Sequence, residues 1–360
     1  MSTFNRLEAS DFVISADAIS STCWTTGNPT LTTFFTSSTQ ANGSSGNFYL
    51  NVFQTGSTLS GSAVQFAIAY GNSQGSGSAN YNNLVDGKSP TSTIYGQYQT
   101  LVIGDENTDF VFGSVTGSEF FALSIERASY KESLFLGSLK LQITGSSGSI
   151  TLTDDSNYVT STTFTSAGRV YQLITGSTGT IATITSRNTS QGYSAISGSY
   201  GWFLPDIGTI LLNPMALAVP PISGGIGLAY SGSFAWGPQV VVATASTAPN
   251  LSPNASLFNA LSGSGASAGL FQLNSQETIS SDFIFIRPRS NQYNYSENPS
   301  FISGSTGEVL YSSFINNPQT YITTVGLYND ANELLAVAKL SRPLPKDFTT
   351  EALIRVKLDF

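Results

Sequence analysis

Tyr321-Ile-Thr-Thr-Val-Gly-Leu-Tyr328 and Leu334-Leu-Ala-Val-Ala-Lys-Leu340 flank the polar stretch Asn329-Asp-Ala-Asn-Glu333. Two runs rich in β-branched and aromatic residues, separated by residues that favour turns, predict a β-hairpin. Pro343 and Pro345 follow; proline has no N–H to give to a ladder, so the hairpin is expected to stop there. Beyond them Ile354, Val356, Leu358 and Phe360 alternate with Arg355, Lys357 and Asp359, the period of a strand with one buried and one charged face.

The same signature recurs upstream in short runs bounded by Gly, Ser or Asn. Strands are expected at Phe48–Phe53, Val64–Tyr70, Thr100–Ile103, Phe120–Glu126, Ser138–Thr144, Arg169–Ile174, Thr180–Thr185, Val240–Thr244 and Asp282–Arg287. Helical turns are expected only at Ser129–Phe135 and Ser256–Leu261. The fold class is therefore mainly β: antiparallel β-sandwich or barrel-like domains, Gly/Ser-rich loops at 57–62 and 71–79, and less than roughly 15% helix.

Composition narrows the chemistry. The 360 residues include no histidine and one cysteine, Cys23, so the side chains that carry most nucleophilic, general-base and transition-metal chemistry are nearly missing. A non-enzymatic role with no cofactor and no metal is expected. Cys23 precedes Trp24 and reads as a small buried hydrophobe rather than a reactive thiol. With 23 Phe and 16 Tyr the chain has the material for a packed core, which disordered chains lack. A net charge of -8 opposes nucleic acid and anionic membranes as partners. The N-terminal residues carry Arg6 and Glu8 and no apolar core of a secretory signal, so synthesis in a cytoplasm is expected. The most apolar stretch, Trp202 to Ala218, is broken by Pro205, Asp206, Asn213 and Pro214 and is too short to span a membrane.

Two domains are expected, 1–163 and 164–360, the boundary falling in the Ser/Thr run that follows Asp154-Asp155. The second would hold a charge-poor insertion at about 188–286 and the closing hairpin region 321–360. Asn188 to Ile286 has no Lys or Arg and only Asp206, Glu277 and Asp282 as acids. Two readings stay open for that segment. One is a buried intrachain core; the other is a subunit interface, whose cores are depleted in charge and enriched in aromatics. The second reading names Trp202, Phe203, Ile210, Leu212, Met215, Phe234 and Trp236 as contact residues.

Chemistry-bearing motifs fail on their details. Asp105, Asn107 and Asp109 have the alternate spacing of a calcium loop, but Phe110 stands where glycine must turn the chain and Thr116 where a bidentate Glu is needed. A polar turn between strands is the expectation. Asp154-Asp155-Ser156-Asn157 reads as another turn. Gly263 to Gly269 is glycine-rich, yet no Lys-Ser/Thr pair follows, so it reads as a connection. Glycoside hydrolysis needs only two carboxylates, but nothing among the 22 acids selects a pair.

The C-terminal residues Thr323-Thr-Val-Gly-Leu-Tyr-Asn-Asp330, Glu333-Leu-Leu-Ala-Val-Ala-Lys339, Ser341-Arg-Pro-Leu-Pro345 and Arg355-Val-Lys-Leu-Asp359 resemble a module of virion structural and tail-associated proteins of tailed bacteriophages, some related to tail-collar fibre proteins. Phe121 to Leu141, with Ile125-Glu-Arg127 and Tyr130-Lys-Glu-Ser-Leu-Phe-Leu-Gly-Ser138, is similar to another stretch of such proteins. Neither patch is catalytic, and no functional residue is carried over. The resemblance implies a virion structural subunit, of the tail or baseplate, with other virion proteins and copies of itself as partners. A collar, neck or capsid-surface position, or a fibre role in binding a glycan receptor, is the alternative.

Overall fold

Phe120-Phe-Ala-Leu-Ser-Ile125, Gly201-Trp-Phe-Leu204 and Thr209-Ile-Leu-Leu212 are apolar at nearly every position, which suits strands covered on both faces. They lie at the centre of a curled thirteen-stranded sheet in the computed structural model. The structure describes residues 4–36, 49–54, 63–75, 90–113, 115–182, 200–221, 224–228, 253–263 and 269–359. It is mainly β, with 46% strand and 16% helix, the helix content just above expectation.

The chain divides into a body, Ile19–Glu277, and a terminal unit formed by Met1–Ala18 with Thr278–Phe360. The boundary expected near 163 is corrected. Thr163–Thr165 pairs with the start of Gly168–Ser177 as a hairpin, Phe164 opposite Arg169, and that second strand continues into the large sheet. The residues expected to separate two domains thus sit inside one ladder.

Within the body the strand order runs Thr30–Leu31, Leu270–Gln272, Lys140–Gly145, Gly148–Asp154, Gly168–Ser177, Gly201–Leu204, Thr209–Leu212, Glu119–Ile125, Val64–Asn72, Tyr49–Phe53 and Phe35–Thr36. Neighbouring strands run antiparallel; at the centre Ile210 faces Leu123 and Leu211 faces Ala122. Successive side chains alternate between two cores. Phe121, Leu123, Ile210, Leu212 and Phe203 enter the larger, with Trp24, Phe66 and Phe271. Phe120, Ala122, Leu211 and Leu204 enter the smaller, with Tyr95, Phe110 and Phe112. The sheet can close tightly at Gly201, which has φ 139°: a Cβ there would lie 1.9 Å from the Leu211 carbonyl oxygen.

Strands arise at or near most expected places among the described residues, with two corrections. Thr100–Ile103 is not a strand: it falls in a turn of π-helix, Gln99–Ile103, that prolongs the α-helix Pro90–Tyr98. Thr91, Thr93, Ile94, Tyr95 and Tyr98 have weak helix propensity, so packing decides. Tyr95 is buried, stacked 5.6 Å from Phe120 and edge-on 5.5 Å from Phe110. Ser129–Phe135 is no helix either; a 3-10 turn at Arg127–Ser129 leads to Ser133–Leu134, which pairs with Ser275 and Gln276. The helix expected at Ser256–Leu261 lies within Pro253–Ser262 and buries Leu257, Ala260 and Leu261. Val240–Thr244 and the 57–62 loop lie outside the described residues, as does most of the glycine-rich run after Gly263; Gly71 and Asn72 end a strand.

In the terminal unit, Ile354–Asp359 pairs antiparallel with the 281–286 part of Asn274–Ile286, Val356 facing Ile284. Val356 is buried while Arg355 and Lys357 are exposed, as alternation requires. The expected hairpin forms from Thr320–Tyr328 and Leu334–Lys346. Its second strand runs on past both prolines, which is a correction. The register shifts between Ile322 and Thr324, Pro343 falls in that irregularity, and Pro345 stands opposite Tyr321. Among the described residues the sheet has two strands, so each keeps an outer edge on which a missing N–H breaks no ladder.

Candidate assembly surface

The residues expected at a subunit interface are mostly core. Phe203, Ile210 and Leu212 have no accessible surface. Trp202 is half-buried, with its ring 5.6 Å from both Phe110 and Phe112, and Met215 packs against the larger core. Phe234 and Trp236 lie outside the described residues. For the five that are described, the charge depletion has an intrachain cause. Strands buried on both faces of a wide sheet have no solvent side on which to place a Lys or Glu.

Exposed apolar surface gathers elsewhere. Sixteen of the 24 large hydrophobic side chains left exposed among the described residues belong to the terminal unit, which holds the smaller share of the chain. Its hairpin shows Tyr321 at 63%, Leu335 at 68% and Val337 at 58% accessible. Phe12, Val13 and Ile14 are exposed on the strand Phe12–Thr22.

Local polar interactions hold this unit in shape. Lys346 has no accessible surface, and its ammonium donates to the Ser290 carbonyl at 2.9 Å, Asn294 Oδ1 at 2.8 Å and its neighbour Asp347's carbonyl at 2.7 Å. Burial lowers its pKa from the ordinary lysine value, with Asp347 and Glu351 opposing. Asn5 and Gln292 exchange side-chain amide hydrogen bonds of 3.2 and 3.1 Å. An apolar cavity of about 320 Å³ is lined by Phe4, Leu7, Ile286, Ile322, Leu327 and Ile354, among others.

The polar clusters of the body serve turns. Asp105 accepts from the Asn107 N–H at 3.0 Å and from the Thr108 hydroxyl at 2.6 Å, closing a loop between the π-helical turn and the strand Phe110–Phe112 rather than between two strands. Those bonds lower its pKa from the usual carboxylate value. Asp154 accepts from the Gly137 N–H at 2.9 Å and from the Ser156 hydroxyl, while its other oxygen is buried without a partner. Asp155 takes the Gln172 N–H at 2.9 Å, and desolvation raises its pKa. Arg169 binds Asp206 through two side-chain nitrogens and its own N–H, and also reaches Ser133. Tyr70, Asn72 and Glu119 form a further hydrogen-bonded group.

Cys23 is buried in the larger core, and desolvation raises its pKa to about 12, which leaves a thiol rather than a thiolate at neutral pH. Among the described residues no group of three or more Cys, Asp or Glu side chains could hold a metal ion, and no helix is long and apolar enough to cross a membrane. No family model, no curated protein and no solved structure matches the chain.

Proposed function

We propose that this chain is a non-enzymatic structural subunit of a tailed bacteriophage virion, in the tail or baseplate, acting through assembly with other virion proteins and with itself. The observation that carries the reading is the contrast between the body, whose central strands are covered on both faces, and the terminal unit, which leaves sixteen large hydrophobic side chains exposed among the described residues. Removing such surface from water is worth about 25 cal/mol per Å², enough to drive association once a partner fits. A buried thiol of raised pKa, the lack of histidine and the commitment of Asp105, Asp154 and Asp155 to local turns support a role without catalysis. The placement in tail or baseplate rests on the resemblance of the hairpin and the 121–141 stretch.

A glycan- or receptor-binding role is the second reading, favoured by the exposed tyrosines Tyr293, Tyr295, Tyr311, Tyr321 and Tyr328 in the terminal unit. The experiment is to locate the chain in intact particles by electron microscopy and to assay the purified protein for glycan binding. Incorporation without glycan binding supports the structural subunit. Glycan binding by a chain at a fibre tip replaces it with the second reading, and absence from particles ends both.

A further inference from the structure

We propose that the side chains of Lys346 and Asn294 join in an intramolecular amide bond, a self-made cross-link that clamps the terminal unit; the inference goes beyond the assembly reading and stands without it. Lys346 ends the strand Leu334–Lys346 and has no accessible surface. Lysine is almost never so buried without a charged partner. Here its three contacts are all neutral oxygens: the carbonyls of Ser290 and Asp347, and Asn294 Oδ1 at 2.8 Å. The Ser290 carbonyl accepts from Lys346 Nζ at 2.9 Å and from Asn294 Nδ2 at 2.7 Å. One oxygen thus holds the attacking and the leaving nitrogen together. Asn294 is itself buried.

The backbone keeps the pair in place. Thr320 faces Lys346 across the ladder, and its hydroxyl donates to the Tyr293 carbonyl at 2.5 Å. Tyr293 has φ 54°, a left-handed conformation that a bulky side chain rarely takes, and it turns the chain just before Asn294. Aminolysis of a carboxamide needs a neutral amine and lasting proximity. Burial favours the neutral amine, against the charges of Asp347 and Glu351. Well-oriented groups held at contact reach effective concentrations of about 10⁵–10⁸ M. To attack, Nζ moves from the Asn294 oxygen to the face of the carbon about 1.2 Å behind it.

The step balances within the pair. The free amine attacks Asn294 Cγ, the Nζ–Cγ bond forms and the Cγ–Nδ2 bond breaks. One amine proton stays on the new amide and the other passes to Nδ2, which leaves as ammonia; counted from the lysine ammonium, an ammonium ion leaves. No oxidant or cofactor is consumed, and each chain reacts once. The bond joins residues 52 apart in sequence. It restricts the unfolded terminal unit as a disulfide would, in a chain whose single cysteine allows no disulfide within it.

Intact-mass measurement of the folded full chain tests the bond. After allowance for the substitutions, the parent should weigh about 17 Da less than Asn294→Ala and Lys346→Met, the mass of one ammonia. Trypsin should release from the parent a branched peptide joining Ser290–Lys339 to Leu340–Arg355, uncut after Lys346. Both variants also delete hydrogen bonds, so lost stability does not identify the bond and mass does. Should a variant fail to fold, the branched peptide of the parent decides alone. A parent at the full sequence mass, or one cut after Lys346 into linear peptides, overturns the proposal. So does a 17 Da loss that persists in Lys346→Met, which would mark an asparagine closed onto its own backbone.

Discussion

Ile210 stands directly across from Leu123 in antiparallel register, and neither side chain has any accessible surface. A carboxylate at either position would be buried without a partner, at a cost of several kcal/mol, a large part of the stability of a domain. Ile210→Asp is therefore expected to unfold the body, whereas Val337→Asp in the exposed hairpin should leave it folded. Thermal unfolding followed by near-ultraviolet circular dichroism separates the two. A folded, soluble Ile210→Asp chain would return this segment to the surface and restore the interface reading of the charge-poor stretch.

Arg169 and Asp206 tie the turn at 205–208 to the strand Gly168–Ser177, with 2.5 Å between Arg169 Nη2 and Asp206 Oδ1. Loss of solvent pushes the Asp206 carboxyl up, but the hydrogen bonds and charge of Arg169 outweigh this and hold it below the usual value. A depressed carboxylate contributes stability above its unfolded value, about 3.9, and loses it as pH falls through the lower folded value. Asp155 has the opposite sign: its raised value means that its ionisation as pH climbs removes stability. Asp206→Asn should cost about 2 kcal/mol at neutral pH and flatten the acid limb of the stability curve. Denaturant titrations from pH 7 down to pH 3 check this; equal acid sensitivity in the variant and the parent would show that the pair does not set that limb.

Alternating burial on one covered face is the part of the fold most legible in the sequence. Ile354, Val356 and Leu358 alternate with charges in the last strand, and the hairpin around Asn329 to Glu333 shows the turn chemistry between its two runs. The helix beginning at Pro90 is not legible, because Thr91, Thr93 and Ile94 favour strands and only the contacts of Tyr95 with Phe110 and Phe120 overrule them. Low charge density has two physical causes, burial on both faces of a sheet or burial against another chain, and Trp202 to Leu212 carries no mark that separates them. The exposed apolar face is illegible for the converse reason. Leu335 and Val337 look like core in any pattern of alternation, and only the two-stranded sheet leaves them uncovered.

Cys23 is the chain's one cysteine and lies in the larger core, so its labelling reports opening of the body. With a pKa near 12 and 2% accessibility, it should react with a disulfide reagent far more slowly than a free thiol, and at the free rate once denaturant unfolds the protein. Stoichiometric labelling of the native chain within the time a small thiol takes would place Cys23 in a mobile or open part of the body.

Lys346 sets the last expectation, because its three ammonium donors go to Ser290, Asn294 and Asp347. Every polar partner there is satisfied, and removing the ammonium would leave three oxygens facing an apolar end. Lys346→Met keeps an unbranched four-atom stem and deletes the ammonium with its charge and its hydrogen bonds, so it should destabilise the terminal unit by about 3 kcal/mol. The body holds its own two cores and should be spared. Hydrogen exchange in the variant should accelerate across 320–359 and stay unchanged in the strands Glu119–Ile125 and Thr209–Leu212. Uniform acceleration across the chain would mean that the two units unfold as one, and that Lys346 supports the whole molecule rather than its terminal unit.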